Sequence, residues 1–286
     1  MRTPRVVVGV DGSPLSMAAV TRAAQLASAR GMHVQVLHAF APDLPMLGFG
    51  EVSDPSAVTG HTHRLLADGV ARAHAVDPGL EVITASRDGY ASQALVDASR
   101  TAALVVLGAM GHGVLSRASV GAVAMQVVTH ARCPVLIVGH ETASSTERGG
   151  RVVVGVDGSK PSMRALGTAF DEAVITGASL DVVHAWEAKS ATDPTLAADS
   201  SWSDYETRLQ HQVEAALAPR REAHPEVKVD YEVVRAAPVQ ALVDRSDGAT
   251  MLVVGSRGSG GFEGLHVGST ALQLMGRSHA PILFSR

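Results

Sequence analysis

The stretch Val6–Ser13, VVVGVDGS in one-letter code, decides the fold, because it returns letter for letter as Val152–Ser159. The two copies are offset by 146 residues (152 minus 6). Farther along, where Gln93–Asp97 matches Gln240–Asp244, the offset becomes 147 (240 minus 93). Self-similarity at a long, nearly constant period is typical of a repeated structural unit. The sequence therefore predicts one domain written twice.

The length of the chain agrees with this duplication. Its 286 residues correspond to about two domains at roughly 150 residues each. Residues 141–150 are polar, contain Ser, Thr and paired Gly, and lack apolar periodicity, which is typical of a linker. We therefore predict a first domain over residues 1–140, a linker over residues 141–150 and a second domain over residues 151–286.

Each copy alternates apolar strands with helices. Val6–Val10 is a continuous run rich in β-branched residues, which favours a strand buried on both faces of a parallel sheet. Comparable runs predict further strands over residues 34–39, 81–85, 104–107, 135–138, 152–156, 180–185, 228–234, 251–254 and 282–284. We predict an α/β fold of two tandem Rossmann-like domains, each a five-stranded parallel sheet with helices on both faces. Such sheets bind ligands at the carboxyl ends of their strands.

Capping residues mark both ends of the first helix in each copy. Ser13 and Ser159 stand just ahead of a proline, which is tolerated in a first helical turn, and a serine hydroxyl can accept a hydrogen bond there. Gly31 and Gly177 stand where a residue in the left-handed conformation commonly ends a helix. The first helix of each copy should therefore run between these residues.

Composition excludes several classes of protein. The chain has 24 Lys and Arg against 28 Asp and Glu, a net charge of -4 and 3% aromatic residues, so no nucleic-acid surface is expected. The single cysteine, Cys133, rules out an intrachain disulfide and should be a small buried hydrophobe. No apolar run reaches the ~18 residues of a membrane helix. We expect a cytoplasmic protein that binds neither nucleic acid nor membrane.

Glycines collect after the fourth predicted strand of each copy. In the second copy, Gly255 and Gly258 are followed after nine residues by Gly268, Ser269 and Thr270. Glycines let backbone N–H groups approach phosphate oxygens, so this spacing indicates an anion cradle. The alternative is a crossover loop without a ligand, and repetition of the spacing favours the cradle. The first copy repeats it with Gly108, Gly111, Gly121, Ala122 and Val123.

This spacing, with Asp157 ending the first strand, resembles the ATP-binding type of universal stress protein, a family of α/β domains that bind adenine nucleotides. The resemblance extends over nearly the whole chain, as a tandem two-domain member. It implies that Asp11 and Asp157 reach the adenosine and that Ala39 and Ala185 line the adenine pocket. It further implies that the glycine loops and the Ser269 hydroxyl hold the phosphates.

The residues alone leave a second role open for the aspartates. A carboxylate at a strand end can accept hydrogen bonds from a ribose, or it can cap its own loop through Ser13 or Ser159. Ala122 departs from the family pattern, which usually has Ser or Thr there. The predicted nucleotide-binding residues are Gly9, Asp11, Ala39, Gly108, Gly111, Gly113, Gly121, Ala122, Val123, Gly155, Asp157, Ala185, Gly255, Arg257, Gly258, Gly260, Gly268, Ser269 and Thr270.

The histidines are assigned no chemistry. His38 and His184 end apolar strands, where a histidine is more often a satisfied core residue than a base or a ligand. His61, His63 and His74 have no counterpart pattern in the second copy, so we interpret them as solvated surface rather than a metal site. We predict no metal site and no catalytic residue.

Missing motifs narrow the enzyme classes. The sequence contains no P-loop, nucleophile elbow, zinc-protease or kinase signature, and the first copy contains no lysine. Countercharge for a phosphate must then come from Arg117, from Arg257, from a helix dipole or from Mg²⁺ carried by the nucleotide.

The leading hypothesis is an ATP-binding stress protein that regulates without dedicated catalysis. The alternatives are a slow ATPase or nucleotide-transferring enzyme of the same superfamily, and an interaction module whose cradles hold no nucleotide. The resemblance also implies an internal pseudo-dimer, in which the last strands of the two halves meet. A homodimer of whole chains and an unidentified regulatory protein are the further partners expected.

Overall fold

The computed structural model describes residues 4–40, 55–111, 120–139, 150–186, 199–256 and 267–286. The chain divides into two compact units, Met1–Ala143 and Ser144–Arg286. The division falls inside the stretch 141–150, for which the sequence predicts a linker. None of the helices in the described ranges is long and apolar enough to cross a membrane.

The first unit alternates strands and helices throughout its described residues. All of its strand pairs are parallel, and the strand order is β3-β2-β1-β4-β5. The elements are β1 Arg5–Gly9, α1 Pro14–Arg30, β2 His33–Phe40, α2 Pro55–Val76, β3 Val82–Asp88, α3 Ala91–Ala98, β4 Leu104–Gly108, α4 Ala122–His130 and β5 Val135–Val138.

The second unit repeats this plan. Its parallel strands follow the equivalent order β8-β7-β6-β9-β10. The elements are β6 Arg151–Gly155, α5 Lys160–Thr176, β7 Ser179–Trp186, α6 Asp199–Ala223, β8 Val229–Arg235, α7 Pro238–Ser246, β9 Met251–Gly255, α8 Ser269–Leu274 and β10 Ile282–Ser285. The predicted fold class is confirmed.

Helices cover both faces of each sheet. In the first unit α1 packs on β1 and β4 and against α2, while α3 and α4 pack together on the other side. In the second unit α5 packs with α6, and α7 packs with α8. Because both faces are covered, the central strands can be apolar along their whole length. The valines Val6, Val7 and Val8 of β1 are fully buried.

The predicted caps are confirmed in both units. The Ser13 hydroxyl accepts a hydrogen bond from the Ser16 N–H at 3.2 Å, and Ser159 caps α5 in the same way. Gly31 and Gly177 end α1 and α5 with φ of 61° and 67°, in the left-handed region that favours glycine. Each first helix is therefore fixed at both ends by the residues that the sequence marks.

A glycine at the end of β4 sets how closely α1 can approach the sheet. An added Cβ at Gly108 would lie 2.9 Å from the Leu15 Cβ and 3.0 Å from its carbonyl carbon. We expect Gly108→Ala to lower the free energy of unfolding by about 1–3 kcal/mol, because helix backbone cannot move aside cheaply. Chemical denaturation measures this.

The matched control for that substitution is Gly60→Ala in α2. There the nearest atom to an added Cβ is Arg64 Nη1 at 3.9 Å. Its unfolding free energy should stay the same or rise by about 0.5–1 kcal/mol, because alanine favours a helix. Equal losses in the two variants would contradict the close packing inferred at Gly108.

Candidate functional site

The strand order brings two loops together at the carboxyl edge of the first sheet. β1 pairs with β4, although two strands and three helices separate them along the chain. The loop after β1 carries Asp11, and the loop after β4 carries Gly111. In doubly wound sheets the point where the strand order reverses is the usual ligand site.

A cavity of about 290 Å³ lies at this point, near the lower end of the ~300–1,000 Å³ usual for small-ligand sites. Gly113 lies outside the described residues. The other predicted residues of the first copy line the cavity together: Gly9, Asp11, Ala39, Gly108, Gly111, Gly121, Ala122 and Val123.

Part of the cavity wall was missed by sequence reasoning. Ala91 and Leu95 of α3 line it, and Leu95 is 2% exposed. The repeated stretch Gln93–Asp97 falls within this helix, but a repeat alone does not tell which helix face approaches the sheet. The further lining residues are Val10, Ser16, Leu37, Leu107, Ala109, Met110 and Ala124. The wall is therefore mainly aliphatic.

Gly9 has a packing role that is independent of any ligand. An added Cβ there would lie 2.6 Å from Leu107 Cδ2 and 3.2 Å from Leu95 Cδ1. In the second unit a Cβ at Gly155 would lie 2.9 Å from Cδ1 of Leu242. Both glycines thus let a leucine of a helix, Leu95 of α3 or Leu242 of α7, pack against the end of the first strand of its unit.

Asp11 has the capping role that the sequence leaves open, and its second oxygen faces the loop after β4. Its Oδ1 accepts a hydrogen bond from the Ser13 N–H at 2.9 Å, so one oxygen caps the turn. The intervening Gly12 has a φ of 84°, in the left-handed region. Its Oδ2 lies against Gly111, where an added Cβ would collide with it. One carboxylate therefore joins the turn after β1 to the glycine loop after β4.

The second unit builds the same turn. Asp157 Oδ1 accepts from the Ser159 N–H at 3.0 Å, and Gly158 between them has a φ of 76°. The carboxylate thus stands at the equivalent strand end, with its loop closed by the same bond. The turn is a property of the DGS triplet in both copies.

The loop after the fourth strand closes in the same way in both units. The Gly121 N–H donates to the Ala109 carbonyl at 2.9 Å, and the Gly268 N–H donates to the Ser256 carbonyl at 2.8 Å. Gly121 is the N-cap of α4, so the first N–H groups of that helix face the end of the glycine loop. Ser269 opens α8 at the position that Ala122 holds in α4.

Asp11 is the one charged residue among the described residues that line the cavity. No Lys or Arg from this part of the chain lines the cavity. Arg117, Arg257, Gly258 and Gly260, which the sequence assigns to countercharge or to the cradle, lie outside the described residues. The described part of the lining therefore combines aliphatic side chains with a single carboxylate.

His38 and His184 are buried, with 8% and 3% exposure, and each ring bonds a backbone carbonyl. The prediction that they are core residues is confirmed, with Nδ1 of each ring bonded. Among the described residues, no group of three or more His, Cys, Asp or Glu could hold a metal ion. His74 bonds the Leu80 carbonyl at 3.2 Å through Nε2.

The chain is similar to known proteins over its whole length. Residues 3–139 and 150–286 each match the model of the Universal stress protein family. Universal stress protein Rv1996 of Mycobacterium tuberculosis is 33% identical, over 98% of this chain and 94% of its own. Universal stress protein Rv2623 of the same organism is 32% identical, over 98% and 96%.

A solved structure shares the fold. The crystal structure of a universal stress protein from Archaeoglobus fulgidus superposes with a TM-score of 0.71 and 19% identity. The match covers 100% of this chain and 99% of that one. At this identity the likeness is one of fold.

Proposed function

Since this chain belongs to the universal stress protein family, we propose that each of its units binds ATP and that nucleotide occupancy regulates its association with other proteins. The resemblance drawn from the glycine spacing is confirmed at the level of the family. ATP as the ligand, and regulation as the role, are the steps proposed here.

One observation carries the proposal: the carboxylate of Asp11 lines an otherwise mainly aliphatic cavity at the switch point of the sheet. A carboxylate accepts hydrogen bonds from paired hydroxyls, as a ribose offers. Leu37, Ala39 and Leu95 supply an apolar wall against which a flat base can lie. Adenosine meets both demands, because it joins an apolar ring system to two neighbouring hydroxyls.

The phosphates would extend from the ribose toward the glycine loop. The start of α4, after its N-cap Gly121, lines that side of the cavity and offers the unpaired N–H groups of a first helical turn, and glycines keep side chains out of the path. In the second unit the Ser269 hydroxyl adds a donor at the equivalent place. Mg²⁺ carried by the nucleotide would neutralise charge that the described lining does not.

A binding role suits the described lining better than catalysis. Asp11 is its single ionisable group, and one of its oxygens is already bonded within the turn. Hydrolysis needs a base aimed at an attacking water, as well as charge stabilisation at the γ-phosphate. Regulation through occupancy needs neither, since a ligand that bridges the turn and the glycine loop can order both.

ATP binding is tested by removing each aspartate. The wild-type chain should bind two equivalents of ATP in calorimetric titration, and Asp11→Ala or Asp157→Ala should weaken one site about tenfold to a hundredfold. That range is what loss of hydrogen bonds to a charged group costs, roughly 1.5–3 kcal/mol. Asp88→Ala, at the exposed end of β3, is the control and should bind as wild type does.

Two results would contradict the proposal. A wild-type chain that neither carries nucleotide when purified nor binds ATP would favour the interaction module with no nucleotide. Full binding by the Asp11→Ala, Asp157→Ala double variant would move the site away from these strand ends.

Turnover of bound ATP should be absent or far below the ~1 per second of slow ordinary enzymes. The reason is that the described residues lining the cavity include no ionisable group besides Asp11, which already accepts a hydrogen bond within its turn. Phosphate release under steady-state conditions is the measurement. Release at enzyme-like rates that Asp157→Ala abolishes would instead support the ATPase alternative.

The two sites should differ in how well they hold phosphate. Ser269 offers a hydroxyl where the first copy has Ala122, so Ser269→Ala should weaken ATP binding in the second unit. Ala122→Ser should strengthen it in the first. Each change should reach tenfold to a hundredfold at most, because a hydrogen bond to a charged group contributes roughly 1.5–3 kcal/mol and water can replace it.

Adenosine is the matched control ligand for that pair of variants, since it lacks phosphates. Its affinity should not respond to either substitution. Calorimetry with ATP and adenosine on both variants makes the comparison, and equal responses to the two ligands would show that position 122 or 269 does not contact phosphate.

A further inference from the structure

Two buried histidines hold the peptide group that precedes each site aspartate. Nδ1 of His38 lies 2.8 Å from the Val10 carbonyl oxygen, and Nδ1 of His184 lies 2.9 Å from that of Val156. A carbonyl oxygen can only accept a hydrogen bond, so Nδ1 carries the proton in both rings. The backbone carbonyl that follows the first strand of each unit thereby fixes the tautomer of the histidine.

The other side of the same peptide group is held by the first helix. The Asp11 N–H donates to Ser16 Oγ at 3.4 Å, and the Asp157 N–H donates to Ser162 Oγ at 3.2 Å. The carbonyl of residue 10 and the N–H of residue 11 belong to one planar unit. Side chains from β2 and α1 therefore fix both polar ends of that plane, and the plane sets where the aspartate side chain begins.

The histidine does not itself reach the cavity. Successive residues of a strand point to opposite faces of the sheet, and Leu37 and Ala39 are the residues of β2 that line the cavity. His38 therefore points to the opposite face, where its ring lies edge-on to His61 of α2 at 6.5 Å between centroids. Any effect on a ligand must pass through the peptide between Val10 and Asp11.

We propose that His38 and His184 are positioning residues of the two nucleotide sites, which fix the aspartate through the preceding peptide. The inference rests on the proposed function, since it concerns the affinity of those sites. The same bonds recur in the two units between the same residue types. In both units the accepting carbonyl belongs to the residue directly before the site aspartate, so the bond acts on the peptide group that carries that aspartate.

The test reads one site at a time in the full chain. In an Asp157→Ala background, which weakens the second site so that the first is titrated separately, His38→Ala should weaken ATP binding to the first site by calorimetry about three- to tenfold, the range of one net hydrogen bond. His38→Asn should restore affinity to within about twofold, because its Nδ2 stands as many bonds from the backbone as Nδ1 of histidine. The reciprocal experiment uses His184 variants in an Asp11→Ala background.

The matched control is His74→Ala in the Asp157→Ala background. It removes another bond from a histidine ring to a backbone carbonyl in the first unit, away from the cavity, so ATP binding to that unit should not change. Equal effects of His38→Ala and His74→Ala there would overturn the inference and assign both losses to general stability. A His38→Asn chain that is folded yet as weak as His38→Ala would overturn it too.

A second readout needs no substitution and covers the case in which His38→Ala does not fold. Nitrogen-15 NMR of histidine side chains in the wild-type chain should show His38 and His184 with the proton on Nδ1. A proton on Nε2 alone in either ring would overturn the inference. Failure of the proposed function looks different, because ATP binding would then survive in the Asp11→Ala, Asp157→Ala double variant or be absent from the wild type.

Discussion

The site depends on the reversal of strand order between β1 and β4. The chain first adds β2 and β3 on one side of β1 and then returns to add β4 on the other side, through the crossovers that parallel strands require. The loops after β1 and β4 therefore leave the sheet in opposite directions, and a crevice opens between them. Its walls are whatever residues stand at those two strand ends.

Within that crevice, the carboxylate of Asp11 contacts both strand-end loops. One of its oxygens closes the turn with Ser13, while the other faces the loop at Gly111. The bond within the turn costs the site nothing, since a carboxylate has two oxygens and several acceptor positions. The capping role and the binding role are therefore compatible, although the sequence presents them as alternatives.

Much of the fold was predictable because its signals are local. The β-branched runs, the serine caps and the DGS turn depend on neighbours within a few residues, and each is found where the pattern predicts it. What was missed depends on distant parts of the chain. Leu95 approaches Gly9 from another layer, and His38 finds its acceptor 28 residues away in sequence. Hydrophobic periodicity does not predict how closely a helix packs on the sheet, or which group a histidine ring nitrogen bonds.

The glycine pattern illustrates the same limit of prediction from sequence. The spacing alone treats Gly9 and Gly111 alike, as positions where a ligand could approach backbone. The structure separates them, since a Cβ at Gly9 would meet leucine side chains and one at Gly111 would meet the site carboxylate. A glycine pattern therefore predicts close approach without telling whether the neighbour is a helix, a side chain or a ligand.

Comparison of the two copies distinguishes contacts that both units make from contacts that differ between them. In the second unit, near the starts of β6 and β7, Nη1 of Arg151 lies 3.3 Å from Oδ2 of Asp181. Burial raises the pKa of the Asp181 carboxyl, although the charge of Arg151 opposes the shift. The first unit has Gln35 in place of the aspartate, and Arg5 donates to Thr101 at 2.7 Å instead. Charge partners were thus exchanged within one framework, while the turn and the histidine bond were kept atom for atom. The sheet thus tolerates either polar arrangement beneath α3 or α7, whereas the bonds that hold the turn and the peptide before the aspartate are the same in both units.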